Sequence, residues 1–261
     1  LSNMMVGHAV TRLDRADRAD IYVGGLPKMR HWPYQYKAPF APADVIEEYT
    51  RPARIVEDGR VVVKPALSDP ELMDFPQVGT LEAFNTDGLR TLLQTVRVAN
   101  MREKTLRYPG HIELMRVLRE TGFFDECPLN VKGVTVRPRD VTAQLLFPKW
   151  TYGEREEEFT ILRVVVEGVT HGRTTRYSYD LYDEYDRPSG ASSMARTTGL
   201  PCVIVARMLA HRRFAEPGVF PPEVLAQRDG VFESMVEELA RRGVVVHTDV
   251  RETPVGSPDN P

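Results

Sequence analysis

The chain lacks most of the devices that hold or place a protein from outside its own packing. It has two cysteines, Cys127 and Cys202, in 261 residues, far apart and with no second thiol or histidine at ligand spacing. That excludes a disulfide framework and a zinc knuckle, and both thiols are expected to be reduced, in the core or near the surface. No apolar run reaches the roughly 18 residues that a membrane-spanning helix needs, and Leu1-Ser2-Asn3 does not open a basic segment followed by an apolar signal core. The expectation is a cytoplasmic protein with no membrane partner. An excess of one charge is also missing, since 34 basic residues oppose 37 acidic ones for a net −3, interspersed along the chain, which argues against a nucleic-acid partner. No strand is followed by G-x-G-x-x-G and a helix, so the dinucleotide fingerprint is absent as well, and Gly24-Gly25 does not supply it.

What is present suffices for a globular core, with 42% hydrophobic residues. Helical spacing over residues 1–13 predicts an opening helix with Ser2 or Asn3 as its N-cap. Residues 19–23 predict a short strand stopped by Gly24-Gly25-Leu26-Pro27, and the aromatic and proline-rich stretch 29–42 predicts a packed loop of the kind that carries function. A short helix follows over 43–50, with acidic Asp44, Glu47 and Glu48. A hairpin is predicted over 54–64 around Glu57-Asp58-Gly59, a strand over 80–84, a helix over 88–96, a strand over 104–108 and a helix over 111–121. Further helices are expected over 139–147, 193–211, from 221 and over 232–242. Residues 159–169 and 174–183 alternate apolar and polar side chains as a long hairpin does, and 244–247 reads as a last strand. The composition of these elements predicts an α+β or mixed α/β sheet domain.

Seven segments in one order carry a resemblance. They are Leu1-Ser2-Asn3, Tyr22-Val23-Gly24-Gly25-Leu26-Pro27, Leu81-Glu82-Ala83-Phe84, Thr105-Leu106-Arg107-Tyr108-Pro109-Gly110-His111, Val136-Arg137-Pro138-Arg139-Asp140, Met194-Ala195-Arg196-Thr197-Thr198 and Gly218-Val219-Phe220-Pro221-Pro222-Glu223. The set resembles the saccharopine dehydrogenase and lysine 6-dehydrogenase family. The resemblance implies an open mixed sheet with flanking helices, of the glyceraldehyde-phosphate-dehydrogenase C-terminal type, that binds substrate and pairs with a second subunit. It also implies a nucleotide-binding half before Leu1, so that 1–213 would form the substrate and dimerisation domain, 214–251 would pack on that other half, and 252–261 would be a disordered tail. On this reading the fragment alone is inactive, and NAD or NADP is held mainly outside it, with Ser2 and Asn3 as the cofactor contacts.

The implied reaction is oxidative deamination of an amino acid such as L-lysine at its terminal amine. Such a site grips a carboxylate with arginine, holds an ammonium with a carboxylate and removes a proton. Arg107 and His111, with Tyr108 between them, are expected to face one cleft; the bland reading is a surface ion pair and a helix start. Asn85-Thr86-Asp87 stands where the resemblance places an Asn-Arg-Asp-like substrate-contacting turn of the saccharopine reductases, so Asn85 and Thr86 are substrate candidates and Asp87 the candidate for the ammonium, or else an Asx turn capping a helix. Lys37 and Arg51 are further substrate candidates, while Ala43 falls where those reductases have an arginine. Glu82 is a lesser candidate for the base. Arg196-Thr197-Thr198-Gly199 is expected to cap a helix rather than meet an anion, and Met4, Met5 and Met194 are expected in the core. Two alternatives stay open: a saccharopine or carboxynorspermidine reductase, and a non-catalytic dimerisation or ligand-binding module.

Overall fold

The structure, a computed structural model, describes residues 1–214 and 216–254. Its elements in chain order are α1 (Ser2–Val10), β1 (Arg15–Pro27), α2 (Pro42–Thr50), β2 (Ala53–Glu57), β3 (Arg60–Lys64), β4 (Glu71–Phe75), β5 (Gly79–Asn85), α3 (Leu92–Thr95), β6 (Asn100–Arg107) and α4 (His111–Glu120). There follow β7 (Leu129–Val131), β8 (Val134–Val136), α5 (Pro138–Trp150), β9 (Glu158–Thr170), β10 (Arg173–Glu184), α6 (Ser193–Ala210), α7 (Pro222–Ala226), α8 (Val231–Ala240) and β11 (Val246–Pro254). Nine strands form one open sheet in the order β11-β10-β9-β1-β6-β2-β3, with β5 on β6 and β4 on β5. The expected mixed sheet with flanking helices is therefore present. Among the described residues only β1 and β6 pair in parallel, and no helix is long and apolar enough to cross a membrane.

Three hairpins turn on a residue followed by glycine, both at positive φ: Asp58-Gly59, Lys132-Gly133 and His171-Gly172. Such pairs match the right-handed twist of the flanking strands. Two of these hairpins were legible. The β7–β8 hairpin and β4 were not, because their exposed, short stretches carry little periodic signal.

β1 departs from expectation in an informative way. It runs unbroken through Gly24 and Gly25, which pair with Ile161 and Thr160 of β9. A Cβ at Gly24 would fall 2.9 Å from the Leu106 Cβ, and one at Gly25 2.7 Å from Pro39 Cγ. The two glycines thus mark close approach of neighbouring chain rather than a turn, a use that glycine also has inside strands.

Alternation along the strands sends neighbouring residues to opposite faces. Ala19 and Ile21 join Leu162, Val164, Val166, Tyr179 and Leu181 in a core completed by α1, α6 and α8. Tyr22, Leu26, Leu106, Phe159 and Ile161 join a second core with residues of α2, α4 and α5 on the opposite face. Met4 and Met5 lie in the first core as expected. Residues of the 214–251 segment pack on this same domain, through Phe232, Met235 and Leu239 of α8, and β11 extends the sheet beside β10 as far as Pro254. The first three residues of the expected tail are therefore strand, and residues 255–261 lie outside the described residues. The predicted helix over 88–96 shortens to α3. α1 begins at Ser2 with Leu1 as its N-cap and no side-chain cap.

α1 is buried around most of its circumference, and it crosses α7 so closely that a Cβ at Gly7 would stand 2.1 Å from the Glu223 carbonyl oxygen. Backbone on both sides leaves nothing flexible to move. Gly7→Ala is expected to lower stability by about 1–3 kcal/mol, read as a fall in the urea midpoint at constant slope; an unchanged midpoint would show that the two helices are not in contact.

Candidate active site

The loop after β1 returns Tyr34 and Tyr36 to the second core, where they meet Arg107 at the end of β6 and His111 at the start of α4. Gly110, at φ +91, makes the sharp turn between them. Arg107 and His111 are each 2% exposed. Arg107 Nε donates to the Tyr49 hydroxyl (3.2 Å), Nη1 to the Leu106 carbonyl (3.0 Å), and Nη2 to the Tyr36 hydroxyl (3.3 Å) and to Glu48 Oε2 (2.6 Å). The His111 Nδ1 lies 2.9 Å from the Tyr34 carbonyl, which can only accept, so this nitrogen carries the proton. Nε2 then accepts from Tyr49 at 2.9 Å. Burial, reinforced by the Arg107 charge, pushes His111 down to about 3, so the imidazole is neutral at physiological pH. Burial opposes the charge of Arg107 as well, but Tyr36, Tyr49 and Glu48 more than offset it and raise its pKa.

Arg107 and His111 are thus brought together as expected, yet they face inward with their hydrogen-bonding groups used. Tyr108 turns away: its hydroxyl donates to the Pro27 carbonyl at 3.0 Å, and the Arg30 guanidinium covers its ring at 4.4 Å. Contact with open space is made by Glu48, which links the buried arginine to a cavity of about 380 Å³.

One wall of that cavity is α2 with its C-cap Arg51, where Asp44, Glu47, Glu48 and Arg51 recur at i, i+3, i+4 and i+7 and so share a face. Val45, Ile46 and Tyr49 on its other face are buried. The second wall is Thr86, Asp87, Gly88 and Arg90 after β5 together with Glu103 and Thr105 on β6, and Phe40 lies at the edge. Most of these carboxylates are matched by arginines. Glu47 meets Arg139 at 2.6 Å and Arg51 at 3.2 Å, Glu48 meets Arg107, and Asp87 receives Arg54 Nε at 2.8 Å and Nη2 at 2.9 Å. Burial would raise the Asp87 pKa, but the hydrogen bonds from Arg54 outweigh it and hold it low. Asp87, the sequence candidate for an ammonium, is therefore already engaged by a guanidinium.

Glu103 is different. It is 7% exposed and has no ion-pair partner among the described residues. Its Oε2 accepts from the Thr86 hydroxyl at 2.5 Å, and Thr86 lies 2.9 Å from the Thr105 hydroxyl. Burial lifts Glu103 to about 7, against the pull of Thr86, the Arg90 charge and the Gly88 amide and with a further push from Glu48. A Cβ at position 88 would fall 2.1 Å from Glu103 Oε2, so glycine is what leaves room for this carboxyl. No sequence signal singled out Glu103 or Glu48: each is one acid among many until the strand and the helix face each other.

The remaining candidates disperse. Lys37 pairs with Glu156 and lines a separate cavity of about 290 Å³ with Trp32, Tyr34 and Tyr36. The Asn85 amide donates to Ser68 Oγ (3.1 Å) and Asp69 Oδ2 (2.8 Å), bracing the turn behind Thr86. Glu82 accepts from the Gly110 amide at 3.1 Å. The Arg196-Thr197-Thr198 stretch lies inside α6, which Ser192 caps by accepting from the Ala195 amide; Thr197 and Thr198 donate back to helix carbonyls. Ser2 is the first residue of α1, and the Asn3 amide donates to Glu223 Oε2 at 3.1 Å, tying α1 to α7. Both cysteines are exposed, and the described residues hold no cluster suited to a metal ion.

Residues 1–244 match the family described as the saccharopine dehydrogenase C-terminal domain. The chain belongs to that family. A carboxynorspermidine synthase from Vibrio cholerae is 24% identical over 194 residues, covering 71% of this chain and 45% of that protein, so the chain spans under half the length of this curated relative. Among solved structures, apo saccharopine dehydrogenase (L-Glu forming) from Saccharomyces cerevisiae superposes with a TM-score of 0.75 at 16% identity, over 95% of this chain and 70% of that one. A homospermidine synthase from Legionella pneumophila in complex with NAD matches with a TM-score of 0.52 at 12% identity, over 92% and 54% respectively. These likenesses place the fold. The described residues do not themselves fit a dinucleotide, because no glycine loop runs from a strand into a helix N-terminus to take a pyrophosphate.

Proposed function

We propose that this chain is the substrate-binding part of an NAD(P)-dependent oxidoreductase acting at a carbon–nitrogen bond of an amine, and that the cavity between α2 and the Thr86–Arg90 turn holds the substrate. A nicotinamide dinucleotide would exchange the hydride and would be held mainly by a nucleotide-binding half outside these 261 residues. The observation that carries the reading is the charge arrangement of the cavity. Carboxyl groups line its depth, and the exposed guanidinium groups of Arg51 and Arg90 line its wall. An amino acid with a second amine matches both, with its carboxylate on an arginine and its ammonium on a carboxylate. Arg107, His111 and Tyr49 act from behind by fixing Glu48. L-Lysine, deaminated at its terminal amine, is the substrate of first choice, in a cytoplasmic enzyme that forms homodimers.

A second reading is a reductase of the saccharopine or carboxynorspermidine kind. It draws support from the name of the 24% identical relative, while Thr86 in place of an arginine weighs against a second substrate carboxylate being gripped at that turn. The two readings separate in an assay of the full-length protein with L-lysine and NAD⁺ or NADP⁺, following formation of the reduced nicotinamide. Lysine-dependent reduction is expected. Oxidation of the reduced cofactor only when an aldehyde and an amine, either a diamine or an amino acid, are supplied together would replace the first reading with the second, and no nicotinamide chemistry with any amine would defeat both.

A further inference from the structure

Glu103 is anomalous in this fold. A strand residue in the middle of a sheet, packed to 7% exposure, is ordinarily apolar, or is paired if charged. Here every other buried or half-buried acid of the cavity has a guanidinium on it, Glu47 by Arg139 and Arg51, Glu48 by Arg107 and Asp87 by Arg54. Glu103 has none among the described residues, and its Oε1 accepts no side-chain hydrogen bond among them. Besides the more distant charge of Arg90 and the Gly88 amide, two features hold the carboxyl in place: the Thr86 hydroxyl on Oε2, and the missing side chain at Gly88, where a Cβ would overlap the carboxyl. The protein has arranged a position for an acid and left one face of it to the cavity.

Leaving a buried carboxylate without a cation costs free energy unless the cation comes from a ligand. Arg139, Arg107 and Arg54 reach the other acids from outside the cavity lining, whereas Glu103 lines the cavity with no ion pair among the described residues, Arg90 acting on it only at longer range. The neighbouring hydroxyls of Thr86 and Thr105 lie on the same wall and can accept further N–H groups. One carboxylate oxygen and two hydroxyls suit the three donors of a primary ammonium; an incoming carboxylate or phosphate would meet like charge. Phe40 at the cavity edge offers an apolar surface for an aliphatic chain.

We propose that Glu103, with Thr86 and Thr105, is the subsite for a protonated primary amine at the end of the substrate's aliphatic chain, and that it sets the preference for diamino over monoamino substrates. This rests on the reading of the cavity as the substrate site. Glu103 binds the ammonium, Thr86 orients the carboxyl, and Gly88 keeps its place open. Because the terminal amine is also the reacting group, it enters as the ammonium and passes a proton to Glu103, leaving the free amine and a neutral carboxyl.

The test compares L-lysine with L-norleucine, which has the same chain ending in a methyl group, by calorimetric titration of the full-length protein. Lysine is expected to bind at least about 10-fold more tightly, since a hydrogen bond to a charged group is worth roughly 1.5–3 kcal/mol. Glu103→Gln keeps the shape and removes the charge. It is expected to weaken lysine by about 10-fold or more while leaving norleucine unchanged, with urea unfolding run beside it to show that the fold is kept. Equal affinities in the unmodified protein would overturn the proposal without recourse to any variant, and so would a lysine preference that survives Glu103→Gln. The underlying reading fails separately. If neither amino acid binds and no amine supports nicotinamide reduction, the cavity is not the amine site. If lysine is turned over as fast by Glu103→Gln as by the unmodified protein, the subsite alone is lost.

Discussion

Arg107→Ala is expected to lower the unfolding free energy by about 3–5 kcal/mol, measured by urea unfolding near neutral pH. The guanidinium is buried against Glu48, Tyr36 and Tyr49 and lies 4.2 Å from the centroid of the Tyr36 ring. Removing it strands the Glu48 carboxylate and the Tyr49 hydroxyl beside a void, and the cost of an uncompensated buried charge exceeds what the pair contributed. Loss of activity in that variant therefore has a structural component. The double variant Arg107→Met with Glu48→Gln separates the two effects, because filling the space with apolar side chain and removing the orphaned charge is expected to restore most of the stability. Restored stability without restored activity would mark the Arg107–Glu48 pair as a positioning device for the cavity. A loss below about 1 kcal/mol in Arg107→Ala would contradict the burial described.

Acidification is expected to remove stability held by two buried histidines, on the order of 5 kcal/mol between neutral pH and pH 3, with two buried carboxyls offsetting much of it above about pH 4.5. His111 is pushed down to about 3. His8, whose Nδ1 lies 2.6 Å from the Tyr179 hydroxyl, is pushed down to about 4 by burial and by Arg12, with Glu233 opposing. Unfolding returns each to the ordinary value of about 6.5, so within this window the unfolded chain binds more protons. The stabilisation is complete above about 6.5 and is lost as pH falls through the folded-state values. Two carboxyls act in the other direction. Glu103 and Glu158, each raised to about 7 chiefly by burial, contribute stability that is present below the ordinary carboxyl value and lost as pH rises through 7. The two effects overlap between about 4.5 and 7 and largely cancel there, so the net acid loss is expected below about 4.5, where only the histidines still change. Urea unfolding at a series of pH values checks it: His111→Asn should flatten the acid limb, and an acid limb unchanged by that substitution would mean that the imidazole is not buried neutral.

Helices and hairpins with strong local signals were legible from the chain. α2, α4 and α6 follow apolar spacing, and the β9–β10 pair follows strict alternation around a turn whose glycine takes positive φ. β1 was read too short because glycine and proline ordinarily punctuate strands, and only the approach of Leu106 and Pro39 explains why glycine stands inside one. Of the site candidates, Arg107, His111, Asp87 and Arg51 fall around one region, Lys37 lines a separate cavity, Ser2 and Asn3 stand on α1, and Tyr108 supports the loop after β1.

Periodicity and turn chemistry are local, so they set the elements, and the order of motifs was enough to indicate the family. Which acids act together is not a local property. Asp44, Glu47 and Glu48 share a helical face that could have been noticed, yet charged helical faces are usually solvated. Glu103 carries no distinguishing neighbour in the chain at all. Its burial, its lack of an ion pair among the described residues and its raised pKa arise only when β6 is laid beside β5 and under α2, because a pKa and an ion pair depend on distances through space that the chain does not specify one residue at a time.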